Sequence, residues 1–392
     1  MDPKISLGID NCFASKRWTQ PGTWMKLIRD LGISLVEVSA DTECDPLYLG
    51  PDYMKEWILK VQASSIETGV RVANLYSGHG TYSTTGLTHT EQSARIFFRD
   101  HWLKAQMETA ATLNAGMGFF AHGIDETVLQ SPEKYQAALG TLFEDLGKLA
   151  VFAQEIGLKA LSLEQMYTPH QPPWTIEGAR KLIDGVYEKH AVPLYLTLDL
   201  GHMNGQQYFQ KPDRDRIIDL LGRVSSGADY KKIWLGPKRA MDIFIAAAAG
   251  EIEHSLAASE IEESWQGFDY LFAEPEDCSV DRWLEELACY SPIIHLQQSD
   301  GKSSPHWPFS PERNAMGIID AKEVMKGIAK SYSSNKGIVP KCQQITLTLE
   351  PFIGTMQNPY AALCEIKESI DYWRRFVPRD DMPLSEIIAN LP

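Results

Sequence analysis

Several features that would place this chain in a membrane, disulfide-rich or dinucleotide-binding class are absent from its sequence. Among the 392 residues no apolar run approaches about 18, the length that a membrane-spanning helix requires. The six cysteines are scattered without CxxC pairs, which argues against a disulfide framework and against a structural zinc site. No GxGxxG motif follows the first strand-like run, so a dinucleotide-binding fold is disfavoured.

A basic excess is also lacking. The formal net charge is −15 at pH 7, and a face that binds a nucleic-acid backbone needs an excess of Lys and Arg, so no nucleic-acid partner is expected. The first residues, Met-Asp-Pro-Lys-Ile-Ser, show no basic start followed by an apolar stretch, which predicts no signal peptide and favours the cytoplasm. With 44% hydrophobic and 23% charged residues, the composition is typical of a globular enzyme.

Short strand-like runs alternate with longer helical patterns along the chain. Eight such β/α units are predicted, and helical connections between strands imply parallel pairing with right-handed crossovers. This pattern favours a (β/α)8 TIM barrel, one domain over residues 1–392, above an open doubly wound sheet. The runs lie near Ile5, Leu35, Val70, Gly116, Leu158, Leu194, Ile293 and Ile345.

The spacing of these runs has one irregularity. Glu164 and Asp199 are 35 residues apart, an ordinary β/α repeat, whereas Asp199 and Gln297 are 98 residues apart. We therefore expect a helical segment at 206–273 inserted after the sixth strand, including an apolar helix from Ile243 to Ala258. Such an insertion could cover the barrel mouth, where barrel active sites lie, or it could form a contact between subunits.

Four successive strand-like runs end in a carboxylate, an amide or an imidazole. Because the carboxyl ends of parallel barrel strands converge on one mouth, these side chains are expected to meet there. Burying several charges at one place is costly unless a cation balances them. Oxygen-rich ligands suit Mn²⁺, Mg²⁺ or Co²⁺, and Zn²⁺ less well. The runs are Leu161-Ser-Leu-Glu164, Leu196-Thr-Leu-Asp199, Ile293-Ile-His295-Leu-Gln297 and Leu347-Thr-Leu-Glu350.

These motifs resemble the xylose-isomerase-like TIM-barrel superfamily, which includes sugar phosphate isomerases and epimerases of the D-tagatose 3-epimerase type. The resemblance is carried by Leu163-Glu164 with the following Pro172 and Trp174-Thr175, by Asp199-x-x-His202, by the seventh-strand His-x-Gln-x-x-Asp, and by Leu349-Glu350-Pro351. It implies that Glu164, Asp199, a seventh-strand residue and Glu350 hold one divalent metal, with Mn²⁺ expected first.

The seventh-strand ligand departs from the family pattern. That pattern has a His three residues before an acidic residue, and here Gln297 stands three residues before Asp300. Gln297 is therefore the expected fourth ligand on register, through its amide oxygen. His295, two residues earlier, is the alternative.

The predicted chemistry follows from this metal site. A metal chelated by a substrate carbonyl and an adjacent hydroxyl acidifies the carbon-bound proton and stabilises an enediolate. Glu164 and Glu350 would flank the substrate as the catalytic base and acid, and the sequence leaves open which of them removes the proton. The expected function is isomerisation or epimerisation of a ketose, a ketose phosphate or a related keto-polyol.

Two other functions are compatible with the same residues. A metal-dependent dehydratase or decarboxylase acting on a sugar-derived keto substrate is the main alternative, because it also passes through an enolate. A non-catalytic sugar-binding protein is less favoured, since binding alone does not require two opposed carboxylates. The resemblance further implies a homo-oligomer, either a dimer or a tetramer.

Further polar residues near the strand ends are expected to contact the carbohydrate substrate. The resemblance implies that His202 binds a substrate oxygen, and the alternative is that it only orients Asp199. Lys302 could bind an anionic or phosphorylated substrate. Glu37 and Tyr76, on the second and third strands, could be either structural or functional. The predicted substrate-binding residues are His79, His122, His202, Asp300, Lys302 and His306.

Overall fold

A computed structural model describes residues 1–78, 85–225, 233–333 and 337–392 of the chain. Within these residues, eight parallel strands close into a barrel because β1 pairs with both β2 and β8, and a ninth short strand pairs antiparallel with β1. The prediction of a (β/α)8 barrel is confirmed. The strands are β1 (Lys4–Asp10), β2 (Leu35–Ser39), β3 (Arg71–Ser77), β4 (Gly116–Phe119), β5 (Leu161–Glu164), β6 (Tyr195–Asp199), β7 (Ile293–Leu296), β8 (Gln344–Leu349) and β9 (Met382–Pro383).

Helices follow each barrel strand and cover the outside of the barrel. Proline, which is suited to the first turn of a helix, stands at the start of several of them, and the first helix ends at Gly32 in the left-handed conformation. The main helices are Pro21–Leu31, Pro51–Thr68, Gln92–Phe97 and Lys104–Thr112, Pro132–Glu155, Ile176–His190, Val280–Leu287, Ala321–Ser333 and Pro359–Arg374. Shorter helices are Ala40–Glu43, Glu126–Leu129, Met203–Gln206, Pro311–Met316 and Leu384–Ala389.

The barrel strands are largely buried on both faces because each lies between the barrel interior and the helical layer. Ile5, Leu7 and Ile9 of β1, for example, are fully buried in the main hydrophobic core. No helix in the described ranges is long and apolar enough to cross a membrane.

The segment between β6 and the helix Val280–Leu287 forms a second apolar cluster. Its helices are Arg214–Ser225, Lys238–Ala248 and His254–Ser264. A parallel bridge between Gln210 and Ala273 joins the two ends of this segment. The cluster also contains residues of the segment that follows β4, to which the phenol of Tyr270 donates a hydrogen bond at the Leu129 carbonyl (2.6 Å).

The predicted continuous helix from Ile243 to Ala258 is wrong. The chain forms two helices there, Lys238–Ala248 and His254–Ser264. Gly250 lies between them with φ of +81°, a left-handed conformation that glycine adopts at little cost and that ends a helix. The alanine-rich sequence predicted a continuous helix because alanine favours helix on both sides of the glycine.

Candidate functional site

The mouth of the barrel brings together carboxylates from strands that are distant in sequence. Glu164 is the last residue of β5, Asp199 is the last residue of β6, and Glu350 follows β8 directly. All three side chains are buried, with at most 3% of their surface exposed. His295 of β7 pairs in register with Asp199, so its ring lies at the same level of the barrel. The structure therefore assembles four of the predicted residues.

The ring of His295 is at the centre of this group. Its Nδ1 lies 3.3 Å from Glu164 Oε1, 3.3 Å from Glu350 Oε2 and 4.0 Å from Asp199 Oδ2. Two ligands that share one cation at about 2.1 Å are separated by about 3.0–3.4 Å. The separations from Nδ1 to the two glutamates are therefore those of atoms that could surround a single divalent ion.

The electrostatics of the group favour positive charge in front of Nδ1. Burial would lower the pKa of His295, but the charges of Glu350 and Glu37 and the hydrogen bonds to carboxylates raise it well above its ordinary value. Burial would raise the pKa of Asp199, but the three neighbouring imidazoles, led by His202, lower it to about 2. For Glu164 the effect of burial is likewise outweighed, chiefly by the hydrogen bond to His295, and its pKa is lowered.

The ion pairs and hydrogen bonds of these side chains also indicate that they could bind a divalent cation. In the described part of the chain, the ion pairs of Glu37, Glu164 and Asp199 are made with imidazoles only. Asp199 Oδ2 is fully buried and has no hydrogen-bond partner among the described residues, although buried carboxylate oxygens are normally paired. A cation beside Oδ2 would provide the missing interaction. Glu164, Asp199 and His295 each offer one possible ligand atom, and these three atoms lie within 4.8 Å of one another.

Tyr76 of β3 orients one of the carboxylates. Its phenol donates a short hydrogen bond to Glu164 Oε2, and its ring stands edge-on to His295 with a centroid separation of 5.0 Å. Burial, followed by the charge of Glu164, raises the pKa of Tyr76 well above its ordinary value. Tyr76 therefore remains a hydrogen-bond donor to Glu164 across the physiological pH range.

Gln297 lies just beyond the end of β7, and its side chain is engaged in the loop. Its amide nitrogen donates to Asp199 Oδ1 (2.7 Å) and its oxygen accepts the backbone N–H of His306 (2.7 Å). The side chain lies over Gly201, where an added Cβ would be 2.2 Å from Gln297 Cδ. In this orientation Gln297 presents an N–H to Asp199 and keeps its oxygen on the loop.

A second group of imidazoles adjoins the first at Asp199. Asp199, His202 and His306 each offer one ligand atom within 4.8 Å of the others. Nδ1 of His202 is 2.8 Å from the Gln165 carbonyl oxygen, which makes Nδ1 the donor and leaves Nε2 to face the site. The ring of His306 is stacked on Phe352 (3.7 Å between centroids), and its backbone has a positive φ of 50°.

The comparisons with known proteins agree with this architecture. Residues 25–233 match the sequence model of a family described as xylose isomerase-like TIM barrel. The chain belongs to this family. A solved structure of a candidate xylose isomerase from Rhodospirillum rubrum superposes with a TM-score of 0.66 at 16% identity, covering 94% of this chain and 98% of that chain.

Two further family comparisons involve named epimerases. D-psicose 3-epimerase from Clostridium cellulolyticum H10, solved with D-tagatose, superposes with a TM-score of 0.53 at 14% identity, covering 95% of this chain and 98% of that chain. D-erythrulose 1-phosphate 3-epimerase of Brucella abortus (strain 2308) is 28% identical over 105 residues. That match spans 27% of this chain and 31% of the relative. At these identities the structural likeness establishes the fold.

The other predicted substrate-binding residues of this family member lie in different environments. His122 is buried and stacked on Phe120 (4.4 Å between centroids), and burial lowers its pKa to about 4, so the ring is neutral near pH 7. The side chain of Lys302 is 82% exposed, with Nζ 4.0 Å from Asp300 Oδ2. His79 lies outside the described residues.

Two residues that the sequence did not single out, Asn74 and Phe352, complete the site together with Glu37. Asn74 of β3 and Glu37 of β2 form the wall behind His295, and Phe352 supports His306. Glu37 was predicted as either structural or functional, and Asn74 was not predicted. The available signal was their position inside apolar strands, where an uncompensated polar group is costly.

Proposed function

We propose that this chain is a divalent-metal-dependent sugar epimerase that acts on a ketose or a ketose phosphate. The observation that carries the proposal is the meeting of Glu164 and Glu350 at one point: each places a carboxylate oxygen 3.3 Å from Nδ1 of His295. In the strand order β5-β6-β7-β8, the two glutamates are separated by two intervening strands. They therefore approach the centre of the mouth from different directions.

The relatives support carbon 3 of a ketose as the reacting position. The names of the Clostridium cellulolyticum and Brucella abortus proteins both specify 3-epimerisation, one of a free ketose and one of a ketose phosphate. An exchange of configuration at one carbon needs a proton removed from one face and delivered to the other. Two opposed carboxylates fulfil that requirement, whereas binding alone does not require them.

We propose that the metal ligands are Glu164, Asp199, His295 and Glu350, and that the ion is Mn²⁺. His295 is preferred to Gln297 because its Nδ1 faces the glutamates, while the amide of Gln297 donates to Asp199 and its oxygen is occupied by the backbone of His306. Three carboxylates and one imidazole suit Mn²⁺, with Mg²⁺ or Co²⁺ as alternatives.

The residues of the chain perform the proton transfers in this proposal. When bound, the cation polarises the ketose carbonyl and a neighbouring hydroxyl, which acidifies the hydrogen on the adjacent carbon. One of Glu164 and Glu350, as a carboxylate, removes that proton, and the other, which enters the step as the neutral acid, protonates the opposite face of the planar enediolate, so that the two exchange protonation states. The hydrogen bonds from His295 and Tyr76 favour the charged, proton-accepting form of Glu164.

We propose that the two imidazoles beside Asp199 bind the substrate. The Nε2 of His202 faces the site because its Nδ1 is anchored at the Gln165 carbonyl, so it can accept a hydrogen bond from a substrate hydroxyl. His306, stacked on Phe352 in a strained backbone conformation, would bind a further oxygen. The exposed position of Lys302 makes it suited to a phosphate group only at the outer rim of the mouth.

Epimerisation can be tested directly with the purified protein. Enzyme stripped of metal with EDTA and reloaded with Mn²⁺ is incubated with free ketoses and with 1-phosphorylated ketoses, and the products are separated chromatographically. The expected result is a C3 epimer that forms only after Mn²⁺ is restored. Release of water or CO₂ in place of an epimer would instead assign the site to lyase chemistry. Equal turnover with and without the metal would contradict the proposed mechanism.

A further inference from the structure

A chain of buried hydrogen bonds extends from the candidate metal centre into the barrel wall. His295 Nε2 lies 2.9 Å from Glu37 Oε2, and Asn74 Nδ2 donates to Glu37 Oε1 over 2.7 Å. The three side chains come from β7, β2 and β3 and are at most 2% exposed. Each oxygen of Glu37 thus has a defined partner.

The contact with Glu37 determines which nitrogen of His295 carries a proton. A carboxylate only accepts hydrogen bonds at neutral pH, so the shared hydrogen belongs to Nε2. The other nitrogen, Nδ1, lies on the opposite edge of the ring beside Glu164 and Glu350, so it is the nitrogen that would give up its proton and direct its lone pair at a bound cation. A ring held in the other tautomer would present an N–H to the cation and could not bind it.

We infer that Glu37 is a positioning residue that fixes the tautomer and orientation of His295 for metal binding, and that Asn74 fixes Glu37 in turn. This inference rests on the proposed function, because it assigns a partner to one of the proposed metal ligands. Glu37 lies behind the ring, on the Nε2 side, and its two oxygens are engaged by His295 and Asn74. It therefore acts through His295 rather than as a ligand of its own.

The same contact helps to explain why the imidazole of His295 faces the glutamates, although the family spacing pointed to Gln297. A histidine inside an apolar barrel needs a partner for each nitrogen, and Glu37 satisfies one of them. The carboxylate also makes the imidazole a better electron-pair donor to a cation. Edge-on packing of Tyr76 against the ring further restricts its rotation.

The inference is tested by comparing Mn²⁺ binding in two variants with the same chemical change. Glu37→Gln removes the charge behind His295. Glu43→Gln makes the same exchange at another buried glutamate, which accepts a hydrogen bond from the indole of Trp57 and lies on a different segment. Calorimetric titration with MnCl₂ is expected to give a dissociation constant about 10- to 100-fold weaker for Glu37→Gln, and an unchanged one for Glu43→Gln.

A spectroscopic measurement separates positioning from general loss of structure. In protein labelled with ¹⁵N-histidine and loaded with diamagnetic Zn²⁺, His295 should give the signature of a single tautomer protonated at Nε2. Glu37→Gln should give a mixture of tautomers or loss of the Nδ1–metal signature, while circular dichroism remains that of the wild type. Glu37→Asp, which retains the charge, should recover part of the Mn²⁺ affinity.

The outcomes distinguish this inference from the proposed function. If wild-type protein binds Mn²⁺ and His295→Gln weakens binding, but Glu37→Gln binds as tightly as wild type with His295 in one tautomer, the positioning role is overturned and the metal site stands. If His295→Gln itself binds Mn²⁺ like the wild type, the ligand set of the proposed function is wrong. Equal weakening in Glu37→Gln and Glu43→Gln would also overturn the specific role of Glu37.

Discussion

The choice between His295 and Gln297 as the metal ligand gives the sharpest prediction about the site. His295 is fully buried with Nδ1 between two glutamates, whereas Gln297 uses its amide to bridge Asp199 and the backbone of His306. The perturbations are His295→Gln and Gln297→Ala. For each protein the melting temperature is compared with and without MnCl₂, so that any change in basal stability cancels.

The size of the expected shift follows from binding linkage. Mn²⁺ at 100 times its dissociation constant stabilises the native state by about 2.7 kcal/mol. Unfolding 392 residues carries an entropy of about 0.8 kcal/mol per kelvin, so that stabilisation raises the melting temperature of the wild type by about 3 °C. If loss of the imidazole weakens binding about 100-fold, the gain falls to about 0.4 kcal/mol, or about 0.5 °C.

The assay is differential scanning calorimetry at one fixed MnCl₂ concentration, with NaCl of matched ionic strength as the control. His295→Gln is expected to lose most of the shift, and Gln297→Ala is expected to retain it, since the amide is not among the proposed ligands. The reasoning is refuted if Gln297→Ala loses the shift while His295→Gln keeps it. In that case Gln297 would have to rotate its oxygen toward Asp199 when the metal binds.

Three further predictions concern catalysis and stability. Glu164→Gln and Glu350→Gln should each lower turnover by about 10²- to 10⁴-fold in protein whose Mn²⁺ content has been measured, and normal turnover in either would rule out that residue as acid or base. Tyr76→Phe removes a donor to the charged form of Glu164, so the acidic limb of the kcat/KM profile should move to higher pH; an unmoved limb would contradict this role. Burial raises the pKa of Glu43 from 4.5 to about 7, so its stabilising contribution is present below pH 4.5 and is lost as the pH rises through 7. Relative to the wild type, Glu43→Gln should therefore gain up to about 3 kcal/mol of unfolding free energy between pH 4.5 and 8 in urea titrations, whereas a pH-independent difference would show that Glu43 does not titrate in this range.

The barrel could be predicted because its signals are local. Each strand is a short apolar run, and the 35-residue spacing from Glu164 to Asp199 is that of one β/α unit. The carboxylates at the strand ends were predictable for the same reason, since parallel strands bring their carboxyl ends together. The bounds of the inserted helices were harder to predict, because the break at Gly250 depends on one backbone conformation within an alanine-rich stretch.

The seventh-strand geometry could not be obtained from spacing. Whether His295 or Gln297 faces the carboxylates depends on where β7 ends and on its register with β6, and the pairing of His295 with Asp199 is a tertiary property. The contact between His295 and Glu37 joins residues 258 positions apart, so no local sequence pattern predicts it. A period of two places both seventh-strand residues on one face, and only the depth within the barrel distinguishes them.

We propose that Glu164 and Glu350 exchange a substrate proton at carbon 3 in the presence of a divalent metal. The most direct test of this proposal is a reaction in D₂O with the Mn²⁺-loaded protein and the ketose on which epimerisation is detected, followed by NMR of the product. We expect that deuterium enters the product at C3 alone, with no release of water or CO₂, and that incorporation is lost in Glu164→Gln and Glu350→Gln. Epimer that forms without deuterium at C3, or with the same incorporation in both variants, would contradict the proposal.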